Sequence, residues 1–311
     1  VDGAIDIAGT GTAVAGTRGL SLSDGEISST GTATITITGN AFDDGVLAKN
    51  GFDINSVDGN IQIDGTSSDD NGVDLETSTI IQSTGTGINA ATITINGTGE
   101  LDGVNVSDSG SGIRSVDGQI IINGTGTGTV VDGTNGVNMG DGDVSSTGTA
   151  TITITGNAFD DGVHLKDNFT VNSVEGNIQI DGTSSDDDGV DLASNASILS
   201  TGTGINAATI TIDGTGSNGS GIESDDAQVN SVDGNISLAG NGDQGIDLET
   251  TAVNSTGSAT ITLTGTGTNS TGIELDDATL NSTGTGTITG SGTTGGDDGI
   301  NVNGATSQIA S

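Results

Sequence analysis

The chain contains no cysteine, proline, tryptophan or tyrosine, one histidine, one methionine and only four lysines and arginines in 311 residues. Each shortage narrows the reading. Without cysteine there is no disulfide staple, although the compartment stays open. Without proline every residue keeps its amide donor, which suits a backbone paired on both sides. Without tryptophan or tyrosine there is no broad aromatic platform on which a sugar could stack. No run of 18 apolar residues is present to span a membrane as a helix. Acidic residues number 42 against 4 basic ones, for a net charge of −38. That charge excludes nucleic acid and anionic membrane surfaces as direct partners. It also predicts self-repulsion that salt or bound cations relieve. The chain opens on Val1 with no signal-peptide pattern, and we expect a mature segment of a longer product.

Hydrophobic residues make up 30% of the chain, below the usual ~45–50%. Scrambled, such a composition would suggest disorder. The order of the residues argues otherwise. Ser29 to Val46 returns letter for letter at Ser146 to Val163, 117 residues later. Inside it lies a smaller unit. Ala33, Ile35 and Ile37 alternate with Thr34, Thr36 and Thr38, the period-two pattern of a strand with one buried face. A polar corner, Gly39 to Asp44, leads to a second short strand at Val46, and a third follows around Ile54. Serines in phase (29, 56, 83, 115, 146, 173, 200, 231, 255 and 282) are spaced by 27, 27, 32, 31, 27, 27, 31, 24 and 27 residues. A repeat of that length means a solenoid, propeller or array.

A strand this short cannot bury its apolar side alone; stacking successive coils does so. Three aliphatic columns result: one through Ile35, Ile61 and Ile93, one through Val46, Val73 and Val104, and one through Ile54, Ile81 and Ile113. The prediction is an all-β, right-handed parallel β-helix of about eleven coils, three short strands each, the hand following the usual crossover rule. It forms one domain over residues 1–311, with an internal duplication of 29–145 and 146–254. The extra residues of the longer coils are expected mainly between the first and second strands, as at Asn96 to Asp102, and around Ser107 to Gly112.

Four features bear on chemistry. Asp43-Asp44-Gly45, Asp160-Asp161-Gly162, Asp187-Asp188-Gly189 and Asp297-Asp298-Gly299 precede second strands, and Asp74 and Asp191 lie within them. Coils about 4.8 Å apart would stack these carboxylates into a ladder. Oxygen-only clusters favour Ca²⁺, so Asp43, Asp44, Asp74, Asp160, Asp161, Asp187, Asp188, Asp191, Asp297 and Asp298 are candidate metal ligands. The competing reading is that Asp and Gly are good turn residues on a solvated edge. The outward Thr-x-Thr pairs, such as Thr34/Thr36 and Thr92/Thr94, are interrupted by Asn60/Gln62 and Asn177/Gln179, so they read as β-formers on a wet face. Arg18, Lys49, Arg114 and Lys166 are scattered, giving no basic-acidic cluster for a lyase. The sole histidine, His164, replaces Leu47 at an outward position and reads as an exposed, neutral change. We expect no enzyme activity.

The text Gly59-Asn60-Ile61-Gln62-Ile63-Asp64-Gly65 and Gly272-Ile273-Glu274-Leu275, repeated with variation along the whole chain, resembles the repeat regions of giant bacterial exoproteins. These are the filamentous-haemagglutinin-like and autotransporter-like adhesins. The resemblance implies a β-helical stalk, fibre or adhesive surface outside the cell or on a bacterial surface. Expected partners are other copies stacked end to end, with Ser311 in phase before Val1-Asp2-Gly3, and a surface receptor or polysaccharide. The alternative is a polysaccharide-degrading β-helix, a lyase or hydrolase.

Overall fold

The computed structural model describes residues 3–11, 14–129 and 133–311. Val1 and Asp2, on which the phase argument partly stands, lie outside them. The chain is an all-β parallel solenoid. Three sheets of eleven strands each run its length, and every strand pairs with the equivalent strand one coil away. First strands are long, as in Ile35–Ala41 and Ile152–Ala158; second and third strands are short, as in Val46–Lys49 and Asp53–Ser56. The expected columns are in register: Ile35 pairs with Ile61, Val46 with Val73 and Ile54 with Ile81. Further inward columns run beside them, through Ile37, Ile63 and Ile95, and through Ala48, Leu75 and Val106. These side chains are 0–1% exposed and form one continuous core.

The in-phase serines end the third strands, pointing inward, paired Ser29 to Ser56 and Ser56 to Ser83 in register. All ten are buried. Small side chains there let the chain turn the third corner without a void.

The first corner is tighter still. Gly39 and its register partners Gly65, Gly97 and Gly124 stand two residues after the last isoleucine of the first strand. A Cβ on Gly39 would stand 1.9 Å from the Gly45 carbonyl oxygen. Glycine is required here by space, since no left-handed backbone is involved at either residue. Phe52 and Phe169 fill the turn before the third strand, beneath Gly25 and Gly142, whose Cβ atoms would meet the rings at 3.0 and 3.1 Å.

The position of the insertions differs from expectation in two of the three long coils; in the third, the extra residues lie between the first strand Ile120–Gly126 and the second strand Val137–Gly140, as expected. Asn96 to Gly99 belong to the first-sheet strand Ile93–Gly99. In two long coils the extra residues instead form the turns Gly87–Asn89 and Gly204–Asn206, between third and first strands. The sequence pattern misplaced them because Thr and Gly continue through the turn and hide where pairing resumes. Each turn is braced from the next coil: the Gly87 amide donates to Asp117 Oδ2 at 2.7 Å, and the Gly204 amide to Asp233 Oδ2 at 2.6 Å. Their tips, Ile88 and Ile205, are fully exposed.

Candidate metal centre

The acidic corner between first and second strands is built by stacking. At the turns of Asp43-Asp44 and Asp160-Asp161 the stacking brings carboxylates of adjacent coils together. Three groups of side chains then bring ligand atoms within 4.8 Å of one another: Asp43, Asp44 and Asp70; Asp161, Asp187 and Asp188; and Asp161, His164 and Asp191. These groups can hold a metal ion.

The first group has its own cation. Arg18 Nε donates to Asp44 Oδ2 at 2.7 Å, and an Arg18 terminal nitrogen lies 3.8 Å from Asp43 Oδ2. Asp44 is only 3% exposed; burial raises its pKa and the Arg18 guanidinium opposes that. Asp70 is pushed up to about 6 by burial and by the charges of Asp44 and Asp43.

The second and third groups share Asp161 and contain no guanidinium. Burial, with the charges of Asp191, Asp160 and Asp187, pushes Asp161 up to about 8. Burial and Glu223 push Asp188 up to about 9, and Asp191 up to about 7. Without a cation the corner therefore holds protons near neutral pH. His164 Nδ1 lies 3.4 Å from Asp161 Oδ2, and Nε2 lies 3.1 Å from Asp191 Oδ2. Burial, helped by Lys166, depresses His164 to about 4. With both flanking carboxyls raised, these contacts are those of a neutral ring rather than an ion pair.

Of the other expected ligands, Asp74 is buried and accepts a hydrogen bond from Asn105 Nδ2 at 2.8 Å. Burial, then the charges of Glu76 and Asp44, push it up to about 8. Asp160 is 6% exposed and accepts from the Gly133 amide at 2.8 Å. Asp297 and Asp298 are exposed and belong to none of the three groups.

The expectation that His164 is exposed is corrected. Its side chain is 18% exposed, and its counterpart Leu47 is buried at 1%. The outer face of the second sheet is not open, because the corner's side chains fold back over it: Asn138 Nδ2 reaches Asp102 Oδ2 at 2.9 Å just as His164 reaches Asp161. Sequence reasoning also passed over Asp70 and Asp102. The signal for Asp70 was present, since it stands 117 residues before Asp187. Asp102, 7% exposed and bonded by Asn135 and Asn138, has no Asp-Asp-Gly motif to announce it.

Among the described residues no helix is long and apolar enough to cross a membrane. The chain matches no protein-family model, no curated protein and no solved structure.

Proposed function

We propose that this chain is a structural segment of an extracellular or bacterial cell-surface fibre, of the adhesin-repeat kind its sequence resembles, and that it is not an enzyme. The observation that carries this reading is the uninterrupted stack of eleven coils in three parallel sheets. Such a stack makes a long rod whose coil-to-coil interface can be repeated. The last coil leaves Ile300, Val302 and Ile309 46%, 49% and 55% exposed, with Ile300 and Ile309 lining an apolar cleft of about 190 Å³. Another coil set on that face, from the same chain or another copy, would cover the cleft and pair the open strand edges. A surface receptor or polysaccharide would then be met by the flanks of the rod. Electron microscopy of the full-length parent tests this: rods or fibres are expected, and compact globules that never assemble would overturn it.

Calcium is the ion we propose for the all-oxygen group Asp161, Asp187 and Asp188, which no guanidinium occupies. Binding to the folded state stabilises by mass action. Millimolar Ca²⁺ should therefore raise the melting temperature more than Na⁺ at equal ionic strength. Equal effects would reduce the role of cations to screening.

A second reading, a polysaccharide-degrading β-helix, has one observation in its favour. An open groove of about 360 Å³ contains Asp181 and Asp213, in register on adjacent first strands. Paired carboxylates are the tools of glycoside hydrolysis. Turnover of a polysaccharide by the purified chain, lost in Asp181→Asn, would establish it in place of the structural reading.

A further inference from the structure

The duplication supplies an internal comparison at the acidic corner. Arg18 and Asn135 hold the same position, each before a glycine whose amide bonds the carbonyl of Asp44 or Asp161 at 3.0 Å. The coil before the first copy thus presents a guanidinium to its corner, and the coil before the second copy an uncharged amide. Leu47 becomes His164, and Asn71 becomes Asp188. Three changes at one corner thus remove the protein's own cation and add an imidazole and a carboxylate. One consequence is visible in Asp160, the counterpart of Asp43. Asp43 lies near Arg18, whereas Asp160, 6% exposed, keeps Oδ1 buried with no hydrogen-bond partner among the described residues. The remaining cation nearby, Lys166, makes no ion pair among the described residues.

We propose that Asp161, His164 and Asp191 form a site for one borderline divalent cation of the Zn²⁺ class, separate in chemistry from the all-oxygen groups. Imidazole suits Zn²⁺ and its neighbours in the first transition row and is a poor ligand for Ca²⁺. One ring nitrogen of His164 and one oxygen each of Asp161 and Asp191 lie within 4.8 Å of one another, and the 3.1 Å between His164 Nε2 and Asp191 Oδ2 is close to the ligand-to-ligand edge, roughly 3.3 Å, of a tetrahedron with zinc bond lengths near 2.0 Å. The ring lies at a fixed depth because it sits on a strand paired on both sides, with Asn138 before it and Asp191 after it in register. Asp161 is common to this group and to Asp187 and Asp188, so the cation entering here also lies beside those two carboxylates. The first copy cannot do the same: Leu47 offers no ligand, and Arg18 already occupies the carboxylates.

The test is titration of the metal-free chain with Zn²⁺, and with Co²⁺ read by its visible absorption, in millimolar Ca²⁺. One equivalent is expected to bind despite the calcium. His164→Leu restores the residue of the first copy, and His164→Asn matches Asn138 in the preceding coil; one or both should fold as the parent does. Each folded variant is expected to lose at least tenfold in Zn²⁺ affinity. Zinc binding with unchanged stoichiometry and affinity in either folded variant would overturn the proposal, as would displacement of zinc by equimolar Ca²⁺. Whether the parent protein forms fibres has no bearing on either result.

Discussion

A Cβ on Gly182 would lie 1.8 Å from the carbonyl oxygen of Gly189, far inside van der Waals contact. The obstacle is backbone, which is itself locked between two coils. Gly182→Ala should therefore destabilise the chain by at least ~1–3 kcal/mol, the range for overpacking a filled interior. Gly51 is the contrast. It has φ of 73° with nothing near its absent Cβ, so Gly51→Ala should cost only the left-handed strain, about 1 kcal/mol. Urea denaturation of the two variants checks the order.

Phe169 is fully buried, whereas Phe159 in the same coil is half-buried. Phe169→Ala should cost ~3–5 kcal/mol and Phe159→Ala clearly less. Thermal melts of both, with a probe in a remote coil, would show whether the loss stays local, as nearest-neighbour stacking predicts.

The pH dependence should run opposite to ordinary acid denaturation. Burial raises Asp74 to about 8 and Asp247 to about 7. A carboxyl with a raised folded pKa binds its proton more tightly in the folded chain than in the unfolded one, where the value is about 3.9. Its contribution is full below about pH 4 and is lost as pH rises through about 7 to 8. In chelator, stability should fall from pH 5 to pH 9. Asp74→Asn should flatten that fall, since Asn105 already occupies the next place in the column. His164, depressed to about 4, acts in the other direction as pH falls from about 6.5, and it is outnumbered. A melting temperature that rises steadily to pH 9 would contradict the buried carboxylates.

Asp117 receives hydrogen bonds from the Gly87 amide and from the Thr149 amide and hydroxyl, at 2.7, 2.9 and 3.0 Å, which lower its pKa. Asp117→Ala should free the turn that carries Ile88 without unfolding the coil. Hydrogen exchange would show the Gly87 amide losing its protection while Ile93 and Ile95 keep theirs.

The fold was legible because one rule repeats. A strand with Ile at alternate positions can bury them only against the next coil, so the columns through Ile35, Val46 and Ile54 follow from spacing alone. The corner was legible in part. Asp-Asp-Gly marked the place where Asp43, Asp44, Asp160, Asp161, Asp187 and Asp188 gather. Spacing could not say how deep they lie, because depth depends on side chains folding back from the corner over the second strand. That is why Leu47 and His164 looked exposed; Asp297 and Asp298, with the same motif, are exposed in the last coil, which is stacked on one side only. The Gly87 and Gly204 turns were obscured for another reason: in a text of Thr and Gly, residues that pair and residues that loop out are written alike.

The stacking rule also governs what the chain tolerates over generations. Ile35–Ala41 and Ile152–Ala158 are the same seven residues, and each lies on a neighbour with the same inward pattern. Excising 29–145 would seat the coil of Ile5 and Ile7 on a first strand identical in text to the one it has now. Recombination between the two blocks can thus shorten or lengthen the rod by four coils, roughly 19 Å, while its width and core chemistry stay the same. Length in this architecture is a heritable dial with coarse, equal clicks.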